Sequence, residues 1–375
     1  MKTFCTLFLT DDPFHLTKDP GLLPKYMGRC GFQAHFISFI KPDEGRKVIP
    51  EGVAFDFLGE RPLPENPVHM LFCKEVFRFL WKSRKEIDIL NLYFLKYSIF
   101  YGIFFKLVNR KSKVYVKMDA DVLHLEQQGS KPLAKVRDLV YRIYIRLAVD
   151  YISIESTKGY RYVSKSLKLS SDKLLCLPDG IDDDCVKNVR VLPFYEKKNT
   201  ITCVGRLGTY QKNTEFLLEA CKKVQWRDDW RLFLIGPCIP EFEELFDRFC
   251  IETGLENRIF KVGAVYDKAL LMDYYNSSKI HCLSSRHESF GIVCAEAQYF
   301  GNYIVTTPVS SDEDFVPSSD KGMIVETPDE MAAAIQNVMD DSKMDRYRYD
   351  SIASYGNRLL WSRICRTLTE FITRE

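Results

Sequence analysis

The amino-acid sequence predicts an α/β protein made of two doubly wound parallel sheets. Three observations predict it. Short apolar runs alternate with amphipathic segments along the whole chain, the pattern of parallel strands covered by helices on both faces. A polar stretch at 182–198, carrying Pro193, interrupts the alternation, which then restarts. The length, 375 residues, suits two domains rather than one.

In the first half, the apolar runs place strands at 3–9, 34–38, 53–57, 87–92, 113–118, 151–154 and 174–177. Amphipathic segments between them place helices at 21–30, 68–83, 96–109, 132–148 and 156–166. The opening run superficially resembles a secretory h-region. It is too short for one, and Asp11, Asp12 and Pro13 follow without a small-residue cleavage site. It is read as the first buried strand. In the second half, strands are expected at 199–204, 230–235, 259–262, 279–283, 302–306 and 322–325. Helices are expected at 214–224, 240–252, 268–275, 292–300, 329–339 and 358–373. The expected domains are 1–185, 186–345 and a returning C-terminal segment, 346–375, with ligands at the carboxyl ends of the strands.

Composition narrows the function classes. The chain is 46% apolar and 28% charged, ordinary for a globular protein, and its net charge of +2 argues against a nucleic-acid binder. Twelve cysteines lie singly, with no C-x-x-C pair, as expected of reduced thiols in a cytoplasm. No apolar run reaches the length of a membrane span; the nearest, 92–108, contains Lys96 and Lys106. The charge is uneven, however. Residues 72–117 carry eleven Lys/Arg against three Asp/Glu. Lys74, Arg78 and Lys82 recur at helical spacing beside Phe77 and Trp81, a face suited either to solvent or to an anionic membrane surface.

Two stretches carry the chemistry. In the first, a strand runs into Gly205 and Arg206, and a loop leads on to Lys212. Arg offers a planar fork of donors and Lys a mobile point charge, a suitable pair for a diphosphate, while Gly205 and Gly208 permit close backbone approach. In the second, Glu288 and Glu296 stand eight positions apart around Phe290-Gly291, with a strand before and a helix from Ile292 after. Glu296 falls about one turn inside that helix, and Glu288 on the loop above its N-terminus, where free N–H groups favour anions. Acids beside an anion site fit a ligand with a negative group and several hydroxyls, as in a sugar nucleotide. No G-x-G-x-x-G follows any strand, which disfavours a dinucleotide oxidoreductase.

Together these residues resemble the retaining GT-B glycosyltransferases of family four. The resemblance rests on V-G-R-L at Val204–Leu207, the downstream Lys212, Leu234-Ile-Gly-Pro237, and S-x-x-E-S-F-G-x-x-x-x-E-A at Ser285–Ala297. Leu177-Pro-Asp-Gly-Ile-Asp182 resembles the family's domain junction, and Leu16–Pro24 its first-domain phosphate loop. The resemblance implies a GT-B fold: two Rossmann-like domains facing across a cleft, and a C-terminal helix crossing back to the first. It implies that Arg206 and Lys212 bind the donor diphosphate and that Glu288 contacts the transferred sugar. Ser289 and the N–H groups of Phe290, Gly291 and Ile292 would reach sugar or phosphate, and Glu296 would hold the ribose. Gly21 would let the first-domain loop approach the phosphates. No metal or cofactor is implied. The partners would be a nucleotide-sugar donor, uridine-based by family habit, and a glycan or lipid-linked acceptor, with peripheral contact at the inner face of a membrane through Lys74, Arg78 and Lys82.

The sequence also departs from the family. Arg206 and Lys212 stand one residue further apart than the commonest spacing. Where many relatives have a His, this chain has Asp119, within Asp119-Ala-Asp121, a literal D-x-D of the kind that holds a divalent metal in another glycosyltransferase fold. Asp119 is a candidate sugar or acceptor contact, and Glu155 a strand-end acid. A GT-B epimerase and a non-catalytic glycan-binding module are the alternatives; release of nucleoside diphosphate separates the transferase from the module.

Overall fold

The computed structural model describes residues 1–41, 49–59, 71–340 and 346–374. They form two units, Met1–Gly180 with Trp361–Glu375, and Ile181–Leu360.

Among the described residues, the sheet of the first unit has seven strands: β1 Thr3–Leu7, β2 Gln33–Ser38, β3 Val53–Phe57, β4 Ile89–Tyr93, β5 Lys113–Lys117, β6 Tyr151–Ile154 and β7 Leu174–Cys176. Their order is β3-β2-β1-β4-β5-β6-β7, and every recorded pairing is parallel. β1 and β4 are buried along their whole length, as strands covered on both faces must be, which is why they read as largely apolar runs broken only by Thr3, Thr6 and Asn91. The order reverses direction between β1 and β4, so the carboxyl ends of the central strands open on one edge.

The sheet of the second unit holds β8 Thr200–Val204, β9 Arg231–Ile235, β10 Ile259–Gly263, β11 Ile280–Leu283, β12 Tyr303–Thr306 and β13 Gly322–Ile324. They are ordered β10-β9-β8-β11-β12-β13, again with parallel pairs. β8 and β11 are neighbours, so the loops that follow them emerge side by side.

The structure differs from the sequence reading in several places. Helix Val122–Gly129 was not foreseen; its N-cap is Asp121, whose carboxylate accepts the Leu123 N–H at 3.1 Å. The segment expected as a linker, 182–198, belongs to the second unit. Asp182 caps a short helix, Asp183–Val186, which buries Val186, and Leu192 N–H donates to Asn276 Oδ1 at 2.8 Å. The unit boundary therefore falls at Gly180 rather than at 185. The return to the first unit starts at Trp361 rather than at 346. Helix Arg346–Gly356 stays with the second unit, burying Ile352 in its core, and the chain breaks at Leu360 before helix Trp361–Ile372. That last helix buries Trp361, Ile364, Cys365, Leu368 and Phe371 against Leu23, Tyr26 and Met27 of helix Asp19–Arg29. The apolar spacing of three and four along it is what seats one face of the helix. Finally, the basic helix expected at 68–83 runs Lys74–Lys82; 68–70 lie outside the described residues.

Candidate active site

In the second unit the loops after β8 and β11 are stitched together by hydrogen bonds. Arg286 N–H donates to Gln211 O at 2.8 Å, Gln211 Nε2 to His287 O at 3.1 Å, and Ser284 Oγ to Lys212 O at 3.0 Å. Backbone on one loop thus fixes side chains on the other. Lys212 Nζ is hydrogen-bonded to Glu288 Oε1, which also accepts from Ser285 Oγ at 2.7 Å. Both side chains are largely buried, 17% exposed for Lys212 and 9% for Glu288. Lys212 lies over Gly205, where a Cβ would sit 3.3 Å from its Cδ, so a side chain there would crowd the lysine stem. Arg206 is exposed, and its Nη2 donates to Gln211 Oε1 at 2.6 Å. The structure therefore brings Arg206, Lys212 and Glu288 to one loop pair, with Gln211 as the joint.

Beyond Glu288 the chain turns through Ser289, Phe290 and Gly291 into helix Ile292–Tyr299. Gly291 is the N-cap, with φ 88°, a left-handed conformation that a side chain would strain. Phe290 anchors the turn. Its ring is buried 5.0 Å from Phe315, and its carbonyl accepts from Ser311 Oγ. Its side chain is core, so only its backbone is available to a ligand. Ser289 and Gly291 are half-buried, and Ile292 is exposed at the first turn. The first N–H groups of such a helix have no intrahelical acceptor and carry the positive end of its dipole.

Glu296 lies one turn into the helix, buried, with Oε1 3.2 Å from Lys268 Nζ. The Glu296 carboxylate holds Lys268 above its ordinary value. Sequence reasoning missed Lys268. Its partner is 28 positions away, and the available signal is indirect: a buried helical acid requires a counter-charge. Gln211 was missed for a similar reason, since a loop Gln has no pattern to mark it. On β11, His281 is fully buried with Nδ1 3.1 Å from Thr202 Oγ1; burial, helped by Lys212, depresses it to about 3, so it is neutral.

The first unit gathers acids around one lysine. Lys117, at the end of β5, is wholly buried, with Nζ 2.7 Å from Asp179 and 3.4 Å from Asp19. Burial opposes its charge, but Asp179 and Asp19 outweigh burial and hold the ammonium well above its usual range. Burial pushes Asp19 up to about 7 against the pull of Lys117, and raises Asp179 as well. Glu155 accepts the Ala120 N–H at 3.0 Å; burial, then neighbouring Asp119, pushes it far up, favouring the neutral acid. Glu155 is thus a buried acid, standing just before Ser156, the N-cap of helix Thr157–Leu167. Asp119 is exposed above it. Asp121, the second acid of the D-x-D, caps the next helix through Oδ1. Among the described residues, no group of three or more His, Cys, Asp or Glu is arranged to hold a metal ion. Gly21 serves the first unit itself: it sits buried inside helix Asp19–Arg29, where a Cβ would fall 2.0 Å from Leu16 O.

Residues 187–353 match the family model of glycosyl transferases group 1. The match lies within the second unit, Ile181–Leu360. An uncharacterized glycosyltransferase of Methanocaldococcus jannaschii is 26% identical over 55% of this chain and 60% of its own length. Among solved structures, the lipopolysaccharide outer core galactosyltransferase WaaB in its apo form superposes with a TM-score of 0.74 at 16% identity, over 99% of both chains. Anabaena HepE in complex with UDP and glucose gives a TM-score of 0.72 at 14% identity over 100% of both. These structural likenesses establish the fold, two Rossmann-like units of the GT-B type. The family match takes in Arg206, Lys212, Glu288 and Glu296 together.

Proposed function

We propose that this chain is a retaining, metal-independent glycosyltransferase that moves a sugar from a UDP-sugar to a hydroxyl of a glycan or lipid-linked acceptor, as in surface polysaccharide assembly. The observation that carries this reading is the buried Lys212–Glu288 pair, fixed beside Arg206 and ahead of the Gly291 helix N-terminus. Substitution at an anomeric carbon passes through an oxocarbenium-like state, with negative charge gathering on the departing diphosphate. Arg206, Lys212 and the helix N–H groups supply preorganised positive charge for it. Glu288 contacts the transferred sugar and Glu296 the ribose hydroxyls. No protein nucleophile is needed: a donor phosphate oxygen accepts the acceptor proton on the face the sugar leaves. Asp119, exposed in the first unit, is the proposed acceptor contact. The carboxylate of Asp121 is committed to its helix cap, which supports a reaction without metal.

The test is a thermal-shift screen against UDP-, GDP- and ADP-sugars, followed by release of nucleoside diphosphate with acceptor mixtures. Stabilisation by a UDP-sugar is expected. Arg206→Ala and Glu288→Ala are expected to abolish transfer while the unfolding transition persists. Near-normal turnover in either variant would refute the site.

A further inference from the structure

One surface of the first unit is not explained by donor chemistry. Helix Ala134–Ala148 turns one face into the core, burying Ala134, Tyr144, Ile145 and Ala148, and Tyr144 OH donates to Ser98 O at 3.0 Å. Its opposite face is also apolar. Leu133, Val136, Leu139, Val140, Ile143 and Leu147 are each between 46% and 74% exposed. Steps of three and four put them on a single stripe. Single exposed hydrophobes are ordinary, but a contiguous stripe on one helix marks an interaction surface.

Charge identifies the occupant. Lys135, Arg142 and Arg146, seven and four positions apart, run together along one flank of the stripe. Asp138 is the sole acid of this helix, and Arg137 neutralises it at 2.8 Å. A second copy packed antiparallel across the stripe would set the same basic flank against itself. A bilayer with anionic headgroups satisfies both features at once: apolar side chains enter the acyl boundary while guanidinium and ammonium groups stay among phosphates. Leu107, exposed on the adjoining helix Leu95–Val108, extends the apolar area. None of the described helices is long and apolar enough to cross a membrane. We infer that helix Ala134–Ala148 docks the protein, in the plane of the interface, on an anionic lipid surface. The basic helix Lys74–Lys82, singled out by its charge spacing, is then an accessory. This attachment is independent of the donor chemistry and would hold even if the proposed transfer reaction were wrong.

The test is co-sedimentation of the full chain with vesicles of phosphatidylcholine, alone or mixed with phosphatidylglycerol. Wild type is expected to pellet with the mixed vesicles and to be released by salt. A Leu139→Ser, Ile143→Ser, Leu147→Ser triple variant and an Arg142→Glu, Arg146→Glu double variant are each expected to lower the partition coefficient at least about tenfold. The thermal shift with UDP reports the second unit and is expected to be unchanged in both, which separates loss of docking from loss of fold or of donor binding. Equal sedimentation of the serine variant and wild type would overturn the inference. So would loss of binding only on Lys74→Glu, Arg78→Glu, Lys82→Glu substitution. Failure of wild type to pellet, with a dimer in size-exclusion chromatography that the serine variant converts to monomer, would assign the stripe to a second copy instead.

Discussion

Lys212 and Glu288 form a largely buried ion pair, and that pairing predicts opposite effects of the two substitutions. Glu288→Gln keeps the shape of the side chain and the Ser285 contact but removes the charge that holds Lys212 Nζ. The ammonium is then free for phosphate, so UDP should bind as well as to wild type or up to about tenfold tighter. Lys212→Met removes a charge-assisted hydrogen bond to the diphosphate, worth roughly 1.5–3 kcal/mol. At about 1.4 kcal/mol per factor of ten, UDP affinity should fall roughly 10- to 100-fold. Stability is expected to follow another pattern. With side-chain exposures of 17% and 9%, removing either partner leaves a charge mostly buried and uncompensated, at a cost of roughly 3 kcal/mol. The double variant Lys212→Met/Glu288→Gln should recover about 2 kcal/mol or more of the sum, since neither charge is then stranded. Calorimetric titration with UDP measures the first effect. Urea unfolding of all four proteins, read on the transition that nucleotide shifts, measures the second. If Glu288→Gln weakens UDP as much as Lys212→Met does, the carboxylate positions the lysine rather than competing with phosphate. The reasoning then fails.

Three further outcomes are expected. The second unit should lose stability as pH falls from about 6.5 towards 3, because folded His281 is held neutral while the unfolded chain takes up a proton in that window; His281→Phe should flatten the pH dependence of its unfolding midpoint, and an unchanged slope would exclude this histidine. Asp121→Ala should cost about 1 kcal/mol through the lost helix cap, with turnover insensitive to EDTA, whereas chelator sensitivity would return Asp119 and Asp121 to a metal role. Ile352→Ala should destabilise the second unit by roughly 2–5 kcal/mol and leave the other transition in place, as the assignment of helix Arg346–Gly356 to that unit requires.

Strand positions were legible in the sequence for a physical reason. A parallel strand buried on both faces is apolar along most of its length, so β4 and β11, interrupted only by Asn91 and His281, announce themselves without knowledge of their neighbours. The two acids of the second unit were legible because a loop-to-helix turn imposes fixed spacing, with glycine, here Gly291, the residue type that meets its φ without strain. What charge composition implied was less reliable. The segment 182–198 is polar enough to read as a linker, yet Val186, with Cys185, Val189 and Val191 beside it, seats it in the second unit's core. Asp121 reads as half of a metal motif, yet it is spent on a helix that its own cap creates.

The partners of charged residues were the least legible feature, and Lys117 shows why. In one dimension it is the last residue of a strand. In the fold it is wholly buried and bonded to Asp179, 62 positions away, and to Asp19, far on the other side in sequence. No local pattern encodes such a contact, because burial of the lysine is decided by strands that pair only after folding. The consequence reaches function. Asp19 opens the helix that follows the first-domain loop, and Asp179 stands beside the unit boundary at Gly180, so one ammonium ties both to the carboxyl end of β5. Removing one member of such a set strands the rest, which is costly in a buried site. The arrangement around Lys117 is therefore one that substitution should reveal as a unit, with single changes at Lys117, Asp19 or Asp179 far from additive.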